Sequence, residues 1–146
     1  MSTPLKSDLP PPAAPWRRLA AGVYDAFPLL AIWILVTFGV TAARGMQAVP
    51  TATVWFQAIL LGAAFFYLGL SWKRGGQTMG MRAWRVALVG ADGRPVGWGR
   101  LLLRFAVMLL SLGAGLLGVL WAFVDRDRRM WHDLAARTRV VAVRHD

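Results

Sequence analysis

Residues 16–38, WRRLAAGVYDAFPLLAIWILVTF, restrict the chain more than any other stretch. Two arginines lead into an apolar run. A membrane-spanning helix needs about 20 mostly apolar residues, and residues 19–43 supply them. One acid, Asp25, stands inside the run. An ionised aspartate at the bilayer centre costs roughly 2.5–3.5 kcal/mol on insertion scales, so an acid kept there is a candidate functional site. Arg18 precedes it by seven residues, two helical turns, and shares its face. The spacing predicts an Arg18/Asp25 polar seam, read either as a proton or cation site or as an internal ion pair that fixes helix packing. Pro28, in the same run, predicts a freed carbonyl at Tyr24, next to the acid.

A second apolar run, residues 52–72, predicts a second span, with Trp55, Tyr67 and Trp72 as interfacial aromatics. Ala58, Gly62 and Gly69 offer a small-residue face for close packing. Only 16% of the chain is charged and 57% is hydrophobic, against about 25% charged in soluble domains. The first run exceeds the 7–15 residues of a signal-peptide core and carries Asp25 and Pro28, so it is read as a retained helix. Residues 1–15 hold five prolines and are expected to form a disordered tail, with residues 16–146 as the membrane domain.

The third apolar run, residues 105–124, has a glycine-rich centre, SLGAGLLG, which is poor helix material. It can span once or fold back as a re-entrant hairpin. Charge decides between them. A single span leaves ten basic residues on one side and seven on the other; a hairpin puts sixteen on one side and Arg44 alone on the other. Basic residues in short loops collect on the cytoplasmic side, which selects the hairpin and places both termini in the cytoplasm. A strand reading of residues 84–90, closed by the Asp92-Gly93 turn, agrees. Residues 139–143 read as another strand, and pairing the two requires both on one side of the membrane. The expected fold is an all-α membrane protein: two transmembrane helices, a re-entrant third segment and a small cytoplasmic β pairing.

The net charge of +10 flanks apolar runs instead of forming a nucleic-acid footprint, so no nucleic-acid partner is expected. There is no cysteine, and the two histidines, His132 and His145, form no ligand cluster, so no metal, cofactor or enzymatic activity is expected. His132-Asp133 reads as an acid/base dyad or as part of a polar cluster beside the membrane, with Trp131 in the interface. Gln77-Thr78-Met79-Gly80 reads as a helix start capped by Thr78. Arg100 and Arg104, ahead of the third run, are further candidate partners for Asp25.

Taken in order, these stretches resemble the RDD family of bacterial membrane proteins, named for one arginine and two aspartates. The matching residues are Arg18-Leu-Ala-Ala-Gly-Val-Tyr-Asp25, Gly76-Gln77-Thr78-Met79-Gly80, the strand with its Asp92-Gly93 turn, and Trp131-His132-Asp133 followed by Thr138 and a valine-rich strand. The resemblance implies Arg18, Asp25 and Asp133 as the family residues, with Asp125 and Asp127 competing for the last place. It implies a multi-pass protein of the bacterial inner membrane. Arg137 stands where the family usually has glycine. Transport of an unidentified ligand has been suggested for the family. Two functions follow as expectations: transport or ion exchange at Asp25, or a non-catalytic adaptor binding a partner through its basic cytoplasmic face. Two spans make a poor pore alone, so the expected partners are the lipid bilayer and either further copies of the chain or another membrane protein.

Overall fold

A computed structural model of the chain describes residues 10–143. Two long helices dominate it, α1 (Pro15–Ala43) and α2 (Val54–Gly75), both long and apolar enough to cross a membrane. Proline opens α1 in its first turn, where a missing N–H costs nothing, and the helix continues through Pro28. α1 divides by depth. Its first third buries one stripe, Pro15, Arg18, Ala21 and Asp25. Its remainder exposes Phe27, Leu30, Ile34, Leu35 and Phe38, a surface suited to lipid. α2 ends at Gly76, whose left-handed backbone closes the last turn (φ 67°).

After α2 come a one-turn helix α3 (Met79–Ala83), strand β1 (Val86–Gly90) and helix α4 (Trp98–Gly113). Helix α4 starts before the apolar run expected from sequence, because Leu101, Arg104 and Phe105 already share its buried face. It stops at the glycine-rich centre. Gly115 and Leu116 take left-handed conformations (φ 74° and 66°), and the Leu116 N–H turns back to the Ser111 carbonyl at 2.9 Å. The chain resumes as α5 (Leu117–Leu120) and a 3₁₀ turn, Trp121–Phe123, at 106° to α4. Helix α6 (Trp131–Ala136) and strand β2 (Thr138–Ala142) complete it.

β1 and β2 pair antiparallel, Val86 opposite Ala142 and Gly90 opposite Thr138. This is the pairing expected from the valine-rich segments. It brings the two ends of the bent third segment together. The proline-rich stretch departs from the expected unpaired tail over its last residues. Pro12 bridges Val141, the Ala13 N–H donates to the Val140 carbonyl at 3.0 Å, and the Pro11 carbonyl accepts from the Ala142 N–H at 3.0 Å. Proline lacks an N–H but keeps its acceptor, so an edge position suits it. Residues 1–9 lie outside the described residues. Ala13, Val86, Leu88, Val140, Leu101, Phe105, Leu68 and Trp72 form one apolar core beneath the strands. The start of α1, the end of α2 and the strands are thereby gathered at one end of the bundle.

Candidate functional site

Two buried carboxylates organise that end, and each draws on three elements. Asp133 lies on the first turn of α6, where its Oδ2 accepts the N–H of Met130 at 3.1 Å, a helix-start contact. Arg18, from α1, donates to the same Oδ2 and to the Arg128 carbonyl. Arg104, from α4, donates to Oδ1 and, at 2.9 Å, to the Thr138 hydroxyl on β2. The Arg104 guanidinium also stands over the Trp72 ring, 5.0 Å from its centre, so α2 joins the cluster. Arg18, Arg104 and Asp133 are all buried.

Burial alone would raise the Asp133 pKa. Arg104 and then Arg18 overcome that and hold the carboxyl well below the ordinary range. His132 is buried beside it, with Nε2 3.9 Å from Asp133 Oδ1, too far for a hydrogen bond. Burial, then the Arg104 charge, push its pKa down to about 3, against the pull of Asp133. His132 is therefore neutral at physiological pH. The expected polar cluster beside the membrane is instead a buried charge centre. Asp125 and Asp127 occupy the outer position, pairing with Arg129 and Arg139. Asp133 is thus the aspartate that answers Arg18.

Asp25 is kept differently. Its Oδ2 accepts from the Thr78 hydroxyl at 2.5 Å, and its Oδ1 accepts from the Gly80 N–H at 2.9 Å and from the Tyr67 hydroxyl at 3.1 Å. All three donors are uncharged. Among the described residues Asp25 is in no ion pair. Thr78 does cap α3, accepting the Met81 N–H at 3.2 Å, while its proton goes to Asp25. Gly80 lets α3 lie directly on α1, since a Cβ there would collide with the Ala21 carbonyl and sit 3.0 Å from the Asp25 carboxyl carbon.

The expected Arg18/Asp25 pair is corrected by these contacts. The two side chains share the buried stripe of α1, but seven residues of spacing put them on one face without giving them one partner. Arg104 likewise serves Asp133 instead of Asp25. Arg100 does not serve Asp25 either: its Nε donates to the Ala136 carbonyl at 2.8 Å and its Nη2 to the Arg137 carbonyl, closing the end of α6. Gln77 donates to the Val86 carbonyl at 2.9 Å and ties the connection to β1. Tyr67, Thr78, Gly80 and Thr138 were missed as site residues. The signal for them was an acid inside an apolar run, which demands donors from elsewhere in the chain.

Among the described residues no group of three or more His, Cys, Asp or Glu side chains is arranged to hold a metal ion. Residues 12–137 match the family model described as the RDD family. No curated protein and no solved structure matches the chain.

Proposed function

The chain belongs to the RDD family, and from that premise we propose that it exchanges protons for small monovalent cations at Asp25. The observation that carries this reading is the shell of that carboxylate. Asp25 is buried in a spanning helix, has uncharged donors on both oxygens, and has no cationic side chain paired with it among the described residues. Two carboxylate oxygens and the hydroxyl oxygens of Tyr67 and Thr78 meet there. A hydroxyl can turn its hydrogen away and offer lone pairs instead, so the same shell accepts either a proton or a cation. Competition of the two for one carboxylate is the elementary event of exchange. Acids inside membrane segments commonly serve such pathways.

In this reading the protein sits in the bacterial inner membrane with both termini in the cytoplasm, as the basic residues favour. It works as an assembly of several copies, because two spans enclose no pathway alone. The Asp133 centre holds the bundle together and takes no part in the exchange. The test is cation-driven proton flux in proteoliposomes. Wild type exchanges at least one of sodium, potassium or lithium for protons, and Asp25→Asn abolishes this while remaining folded. Absence of flux from wild type across those ions and across pH defeats the proposal. Undiminished flux from Asp25→Asn removes Asp25 as the exchange site.

A further inference from the structure

Beside the end of α2 lies a second polar feature, separate from both carboxylates. A cleft of about 310 Å³ is bounded by Leu70, Ser71, Arg74, Gln77, Met79 and Arg82. That volume is at the lower end of the range for small-molecule sites. Gly75 also lines it and adds no side chain; the Arg82 guanidinium passes 3.6 Å from the place a Cβ would take. Arg74 and Arg82 are both exposed, and among the described residues neither is paired with a carboxylate. Four other arginines are already committed: Arg18 and Arg104 to Asp133, Arg100 to carbonyls and Arg129 to Asp125. The Gln77 side chain spends one N–H on Val86 and keeps its other N–H and its oxygen.

The apolar walls say what kind of anion belongs here. Leu70 lies on the spanning helix itself, and Met79 is 66% exposed at the start of α3. The cleft is therefore lined by both arginines and apolar side chains. It stands at the end of α2, a helix long and apolar enough to span. A free anion has no use for an apolar wall, whereas a phospholipid has a phosphate for the arginines and acyl chains for Leu70 and Met79. Basic pockets between membrane helices bind acidic headgroups in this manner.

We propose that the Arg74/Arg82 cleft is a binding site for the phosphate headgroup of an acidic phospholipid. Planar guanidinium groups suit phosphate oxygens, which accept two N–H donors from one arginine. A zwitterionic headgroup is a poorer fit, since its ammonium would face two arginines.

The experiment measures binding of fluorescent phosphatidylglycerol to the full chain in nonionic detergent micelles, with phosphatidylcholine and inorganic phosphate as separate competitors. Wild type is expected to bind phosphatidylglycerol and to be displaced by neither competitor at equal concentration. Arg74→Gln with Arg82→Gln is expected to weaken binding roughly ten- to thirtyfold, from about one surface-cation contribution per arginine. Gly75→Leu, which keeps both charges but adds a side chain to the lining, is expected to weaken it as well. Arg94→Gln with Arg126→Gln, removing two exposed arginines elsewhere, is expected to leave it unchanged. Three outcomes overturn the proposal: equal loss in the Arg94/Arg126 variant, undiminished binding in both cleft variants, or full competition by inorganic phosphate. Tryptophan fluorescence on melting confirms that each variant is folded, and all four arginines are exposed, so folding survives their replacement.

Discussion

Asp25 and Asp133 are 7% and 1% exposed, sit at the same end of one bundle, and each joins three or more elements. Asp133 has two buried guanidiniums and one backbone donor. Asp25 has two hydroxyls and one backbone donor. The first arrangement locks a charge state: with two cations against it, the Asp133 carboxyl stays ionised, and no proton or ion can take the place of an arginine without breaking the fold. The second leaves the charge of Asp25 unbalanced by any paired side chain. One carboxylate is committed to structure, and the other is held in shape by donors that can be given up one at a time.

The largest effect that checks this contrast is on stability. Breaking a buried ion pair by removing one partner costs about 3–5 kcal/mol, because the other charge is left bare. Asp133→Ala strands both Arg18 and Arg104, so the variant is expected to fall at the top of that range or to fail to accumulate in the membrane. Asp25→Asn keeps its shape and most of its partners, and is expected to lose about 1 kcal/mol. Unfolding in micelles, followed by tryptophan fluorescence, measures both. Replacing Arg18 and Arg104 by Met together with Asp133→Leu is expected to recover much of the loss, since apolar groups of similar volume often substitute for buried ion pairs. Equal destabilisation by the two single substitutions would erase the distinction between the carboxylates.

The spans were legible because hydropathy is a summed property that tolerates local error. The break in the third segment was legible in its glycine-rich centre, and the β pairing because two valine-rich segments had to pair somewhere. Pairing of individual charges was not legible. Arg18 sits 115 positions before Asp133, and nothing local says that its side chain reaches across to α6 instead of along α1 to Asp25. The i,i+7 spacing reported a shared face correctly and was over-read as a shared bond. Thr78 was recognised as a cap for α3, but a hydroxyl both accepts and donates, and its donor half was left without a destination. Asking where that proton goes leads to Asp25. Gly80 carried a quieter signal, a residue without a side chain at the second position of α3, where it lets the backbone of α1 come close.

A second check uses acid. His132 binds a proton near pH 6.5 when unfolded and at about 3 when folded. Between those values the unfolded state holds more protons, so the folded state loses ground as pH falls. The stability that neutral His132 contributes is complete above about 6.5 and declines by about 1.4 kcal/mol for each unit below it. Asp133 acts in the same direction, but only once pH drops below its ordinary value of 3.8. Between pH 6.5 and 4.5 the expected loss is roughly 2 kcal/mol and belongs to His132. His132→Gln is expected to flatten the stability profile over that window. An unchanged slope would mean that the Asp133 centre is more open to water than its burial indicates.

The smallest effect is the most discriminating for Asp25. Tyr67 donates to Asp25 Oδ1 at 3.1 Å and accepts the Met79 N–H at 3.3 Å. Tyr67→Phe removes one of three donors while Thr78 and Gly80 keep theirs, and it takes one acceptor from the Met79 N–H. The expected cost is about 1 kcal/mol, the net worth of one neutral hydrogen bond. The effect on exchange is expected to be larger than that on stability, because the hydroxyl is also one of the oxygens offered to the ion. A variant as stable as wild type but slower in flux, or altered in preference among sodium, potassium and lithium, supports a shell built for exchange. A variant that loses stability on the scale of Asp133→Ala would instead make Tyr67 part of a second structural lock, and the two carboxylates would then differ only in the charge of their partners.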